Sequence, residues 1–85
     1  MVETLSDVIR EVIAQNARLV VAAEDIADDD DLHRLGLSSQ GLVAVMLGLE
    51  DELGVQFPDE VLSKDTFSSI ASIRDTLARI TDDPA

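Results

Sequence analysis

Apolar residues in this chain recur at helical spacing in three separate stretches, and nowhere do they alternate as a half-buried strand requires. Leu5, Val8, Ile9, Val12 and Ile13 follow an i, i+3, i+4, i+7, i+8 stripe. Leu42, Val45, Met46, Leu49 and Leu53 line one face of a second helix, and Ile70, Ile73, Leu77 and Ile80 line a third. The spacings predict helices over about 4–18, 39–53 and 69–80, with a short turn or helix at 58–62 where Pro58 suits a first helical position. With no strand pattern, repeat or low-complexity linker, the expected fold is all-α: a small bundle of three main helices plus one short helix. Eighty-five residues make a single domain, 1–85, ordered over about 4–80. Aromatics are only 2% of the chain, so its core must be built from Leu, Ile and Val.

Local signals set the ends of these elements. Thr4 or Ser6 can cap the first helix, where Glu3 and Asp7 at the start and Arg18 at the end complement the macrodipole. Gly54 is a C′ glycine for the second, and Ser68 is the expected N-cap of the last. The tail from Thr81 to Ala85 is expected to fray. Residues 19–38 have no periodicity, and a loop of that length is usually functional or disordered. Leu19, Val20, Val21, Ile26, Leu32, Leu35 and Leu37 predict that this one is ordered, pinned to the core by its apolar side chains. The Asp28–Asp31 run lacks the glycine and alternating ligands of a calcium loop and reads as a solvated turn. His33, the sole histidine, reads as a surface residue.

Charge narrows the partners. Eighteen acidic against six basic residues give a net charge of −12, which repels nucleic acid and anionic membrane and favours basic protein surfaces. No apolar run approaches the roughly 20 residues of a membrane span, and no signal peptide is recognisable, so a cytoplasmic protein is expected. Cysteine is absent. That excludes disulfides and thiolate metal sites, and any thiol chemistry must arrive on a cofactor.

One stretch carries chemistry. The long loop ends in Leu35-Gly36-Leu37-Ser38-Ser39, which puts a hydroxyl at the mouth of the second helix. A phosphate ester there would meet free backbone N–H groups and the positive end of the helix dipole. Four residues further on, Val43 and Leu47 lie off the buried face as an apolar pair, followed by Glu50 and Asp51, a pattern suited to a partner patch. The competing expectation is that the long loop covers that pair.

From Leu5 to Ile80 the chain resembles an acyl carrier protein. The likeness rests on the long loop, on Gly36-Leu37-Ser38-Ser39, on Leu49-Glu50-Asp51-Glu52-Leu53-Gly54 and on Phe57-Pro58-Asp59-Glu60. The family's attachment motif is Gly-x-Asp-Ser, so the resemblance implies that Ser39 carries 4′-phosphopantetheine, with Gly36 and Ser38 completing the motif. It further implies a partner face of Gln40, Val43, Leu47, Glu50 and Asp51. A phosphopantetheinyl transferase would bring magnesium and the base. An acyl- or aminoacyl-carrier ligase would then load the thiol, and a downstream transferase would unload it. The chain itself would be a shuttle and not an enzyme. Ser38 stands where the family has aspartate and Gln40 where it has leucine, while Gly41 and Ala44 replace residues that are often acidic. Those departures resemble divergent carriers of aminoacyl or specialised acyl groups more than housekeeping fatty-acid carriers. The alternative is an unmodified acidic helical adaptor that binds partners through the second helix. A hydrolase is set aside, because no base stands at a recognisable spacing from Ser39.

Overall fold

The computed structural model describes residues 4–17 and 19–81. Glu3, Arg18 and the tail beyond Thr81 lie outside the described residues. Three helices form the bundle: α1 (Leu5–Asn16), α2 (Ser39–Leu53) and α3 (Ile70–Thr81). The expected short fourth helix is a single 3₁₀ turn, Asp59–Val61, and the long loop holds another at Ala23–Asp25 that apolar spacing does not reveal. No strand occurs among the described residues.

The start of α1 is fixed by a capping box. Thr4 Oγ1 accepts from the Asp7 amide and Asp7 Oδ2 accepts from the Thr4 amide, so Thr4 and not Ser6 is the cap. Ser6 instead accepts a hydrogen bond from Arg74 on α3. The helix stops at Asn16, two residues short of the expected end, because Ala17 is already extended. Pro58 precedes its 3₁₀ turn as the cap residue and does not occupy the first helical position. Ser69, not Ser68, caps α3: its Oγ accepts from the Ser72 amide, while the Ser68 hydroxyl donates to the Asp65 carbonyl. Thr81 is the last residue of α3 and not the first of a frayed tail.

The three stripes supply the core, with Leu5, Val8, Leu42, Met46, Leu53 and Ile80 half-buried and packed against it. Ile9, Val12 and Ile13 of α1, Val45 and Leu49 of α2, and Ile70, Ile73 and Leu77 of α3 are buried together. At roughly 1.5–3 kcal/mol for each fully buried aliphatic side chain, this burial is the main drive to fold. Gly48 lets α1 and α2 approach closely, since a Cβ there would lie 2.8 Å from Val12 Cγ1 and from Asn16 Nδ2. The chain's two aromatics, Phe57 and Phe67, are both buried at a ring separation of 5.6 Å and close the connector between α2 and α3.

The long loop is ordered by fewer apolar anchors than expected. Ile26, Leu32 and Leu37 are buried, Leu19 and Leu35 half-buried, but Val20 and Val21 face solvent. The Val20 amide donates to the Leu35 carbonyl, which fixes this segment as an outer rim with Leu19 inward and Val20 outward. Polar bonds supply the rest. The Leu32 amide donates to Ser68 and the Ala71 amide to the Asp28 carbonyl. Asp28 is no bystander in a solvated turn: its carboxylate pairs with Arg10 of α1 and with Arg74 of α3. His33 Nε2 bonds the Lys64 carbonyl at 2.9 Å, so this half-buried ring is a strut between the loop and the segment after the second 3₁₀ turn. Among the described residues no group of His, Asp and Glu side chains is arranged to hold a metal.

Candidate functional site

Gly36 prepares the site by its backbone alone. Its φ of 111° lies in a region that side-chain-bearing residues rarely adopt, and its amide donates to the His33 carbonyl. The Leu37 amide then donates to Leu32, and the buried Leu37 side chain anchors the end of the loop. The chain thus arrives at α2 with Ser38 in the N-cap position.

The two adjacent serines divide the work. Ser38 Oγ accepts from the Gly41 amide at 3.0 Å, and the Ser38 carbonyl accepts from Leu42, so its hydroxyl is spent on the cap. Ser39, the first helical residue, is exposed, and its hydroxyl makes no hydrogen bond among the described residues. The amides of Ser39 and Gln40 are likewise unpartnered there, as expected for a first turn. An exposed primary alcohol therefore stands beside two free N–H groups at the positive end of a 15-residue helix. Gly41 fits closely under this turn, with a Cβ position 3.2 Å from Leu37 Cδ1 and 3.4 Å from Ser38 Oγ.

Three shallow depressions flank the start of α2, two of them lined by Ser39. One, lined by Gly36, Ser38, Gln40, Gly41, Ala44 and the end of α1, is on the Gln40 side. A second, apolar one is lined by Ser39, Leu42, Val43, Met46, Leu62, Ser63 and Lys64. A third, lined by His33, Leu37, Ser38, Ser39, Leu42 and Lys64, separates the helix start from the His33 strut. No carboxylate lines any of them.

Val43 and Leu47 are 48% and 54% exposed, so the long loop does not cover them. They sit one and two helical steps of four residues from Ser39, on the same side of α2. Glu50 and Asp51 are less alike than their adjacency suggests. Glu50 is half-buried and its carboxylate accepts from the Phe57 amide at 2.8 Å, which ties α2 to the connector, whereas Asp51 is exposed. Both stand roughly 16 Å or more along the helix from Ser39. The structure adds Leu62, 40% exposed, and Lys64 to the site's surroundings. Periodicity passed over both, because they come from the turn before Phe67 and meet Ser39 only in the folded chain.

Residues 7–82 match the family described as phosphopantetheine attachment site, which spans most of the chain. The chain belongs to that family. It carries 4′-phosphopantetheine as a covalently attached group. The start of α2 fits such a group: an unbonded, exposed hydroxyl, free amides for the phosphate and no carboxylate lining the depressions that Ser39 borders. The chain is also 42% identical over 74 residues to an aminoacyl carrier protein from Agrobacterium fabrum, covering 87% of this chain and 89% of that one. Among solved structures it resembles a carrier protein from Agrobacterium tumefaciens, complexed with an engineered Bradyrhizobium japonicum glycine:[carrier protein] ligase and ATP. The TM-score is 0.87 at 39% identity, over 91% of this chain and all of that one. A solution structure from A. tumefaciens matches with a TM-score of 0.75 at 40% identity, over 91% and 93% of the two chains. These likenesses establish the all-α carrier fold. Among the described residues no helix is long and apolar enough to cross a membrane.

Proposed function

We propose that this chain is an aminoacyl carrier whose phosphopantetheine arm is attached at Ser39. The observation that carries the assignment is the division between the two serines: Ser38 is consumed by the cap and Ser39 is left open. Gly36 and Ser38 serve the attachment indirectly, one by turning the chain and the other by holding the helix start. Ser39 offers the nucleophilic oxygen, and its proton leaves to a base that a phosphopantetheinyl transferase must supply, since no base of this chain hydrogen-bonds it. When attached, the arm supplies the thiol that this cysteine-free chain lacks, and that thiol holds the cargo as a thioester. The chain is accordingly a carrier and not a catalyst.

The amino acid is favoured over other acyl cargo by the 42% identical aminoacyl carrier protein and by the carrier–ligase complex that this fold resembles. An aminoacyl:carrier ligase loads the thiol and a further transferase removes the cargo, with docking through Gln40, Val43, Leu47 and Asp51 on the open side of α2. Glu50 contributes mainly by fixing the helix end. The protein works as a cytoplasmic monomer. The test is to give the arm-bearing protein an amino acid, ATP and a glycine:[carrier protein] ligase, and to follow its intact mass. Glycine captured as a hydroxylamine-labile adduct supports the aminoacyl reading. Capture only of fatty acyl groups, when an acyl ligase is used in parallel, would overturn it.

A further inference from the structure

The depressions at the start of α2 lack the acid that dominates the rest of the chain. The chain carries 18 carboxylate side chains, yet none lines the three depressions at the start of α2, and α2 has no acidic residue in its first turn. Lys64 lines two of those depressions, each of which also contains Ser39. Arg10 and Arg74 are committed to Asp28, and of the remaining described cations Arg34 lines a depression with Asp29, Asp30 and Asp31, away from Ser39. Lys64 forms no ion pair among the described residues. Its backbone is held in place, since its carbonyl receives the His33 Nε2 contact at 2.9 Å. A tethered backbone that puts an unpaired lysine in two depressions shared with Ser39 is an arrangement for pairing with a phosphate on that hydroxyl.

We propose that Lys64 is a positioning residue for the phosphodiester that joins the arm to Ser39. The ammonium holds the phosphate on the Leu62–Lys64 side of the helix start and directs the arm towards the apolar depression of Leu42, Val43, Met46 and Leu62. The Coulomb attraction acts with the first-turn amides. In a protein of charge −12 it offsets the cost of adding one more negative group. Because the pairing is exposed, its strength is modest and falls with salt.

This inference rests on Ser39 being the attachment site, and the experiment separates the two. Wild type, Lys64→Gln and Lys64→Glu are each prepared with and without the arm, using coenzyme A, magnesium and a broad-specificity transferase, and the arm is mapped by peptide mass. Lys64 is exposed and is bonded through its carbonyl, so both variants are expected to fold. The quantity read is the change in Tm on attaching the arm. Attachment should be less favourable by about 2–4 °C in Lys64→Gln than in wild type, and by more in Lys64→Glu, with the difference vanishing in high salt. The ³¹P resonance of the phosphodiester should move between wild type and Lys64→Gln at low salt. Equal Tm changes in all three proteins, with the arm mapped to Ser39, would overturn the role of Lys64 and leave the attachment site standing. An arm mapped elsewhere would overturn both.

Discussion

Two helices of this bundle start on a Ser-Ser pair, and they use it in opposite ways. At α3 the start is closed. Ser69 caps the Ser72 amide, the Ala71 amide donates to the Asp28 carbonyl, and the Ser68 hydroxyl is spent on Asp65. At α2 the start is open, with Ser38 capping Gly41 while the Ser39 hydroxyl and the amides of residues 39 and 40 face solvent unpartnered. A serine at a helix start is thus no site in itself. What distinguishes α2 is that the long loop ends in its cap and offers no acceptor to the amides of Ser39 and Gln40, whereas the Asp28 carbonyl of the same loop accepts from Ala71 at the start of α3. One segment opens one helix end and closes the other.

The largest effect expected from breaking this contrast is at Ser39. Ser39→Ala should abolish attachment of the arm while leaving the helical circular dichroism unchanged, whereas Ser69→Ala should load normally. Next is the open side of α2. Val43→Asp or Leu47→Asp should slow turnover by a charging ligase by about tenfold or more while Tm barely moves, since both side chains are about half exposed. A large fall in Tm would show that these residues belong to the core.

The caps come third. Ser38→Ala and Ser69→Ala should each cost about 1 kcal/mol, read as a fall in Tm of about 4–8 °C for a domain of this size. The cost at Ser69 should be the smaller, because the Asp28 carbonyl still holds that helix end. The smallest effect concerns Asp28. Hydrogen bonds from Arg74 and Arg10 hold its carboxyl below the ordinary carboxylate range. A folded-state pKa below the unfolded one means that this pairing stabilises fully above the unfolded value, near 3.8, and is lost as pH falls through the lower folded value. Asp28→Asn should therefore lower Tm modestly at neutral pH, and the gap to wild type should close in strong acid. A gap that persists at the lowest pH would show that the side chain acts by packing alone.

The parts of this molecule that were legible in the sequence are those decided locally. The span of α2 follows from Ser38 and Gly54 at its two ends, and its exposed pair follows from helical period. The cap of α3 was displaced by one residue because the Asp65 carbonyl, which captures the Ser68 hydroxyl, has no signature in spacing. From sequence Asp28 reads as solvated, because its partners lie 18 and 46 residues away. Lys64 and Leu62 carry no signal in spacing for the same reason. Their part in the site comes from the fold bringing the turn before Phe67 against α2. The Gly36 motif was legible, but the cause of its glycine, a positive φ that turns the loop to deliver Ser38, belongs to the folded backbone.

The most direct test of the account is where the arm goes. Wild type, Ser38→Ala and Ser39→Ala are incubated with coenzyme A, magnesium and a broad-specificity phosphopantetheinyl transferase, and the products are read by intact mass and peptide mapping. The open-end account predicts one arm per chain on Ser39 in the wild type and in Ser38→Ala, and none in Ser39→Ala. An arm on Ser38, or loading that persists in Ser39→Ala, would contradict it.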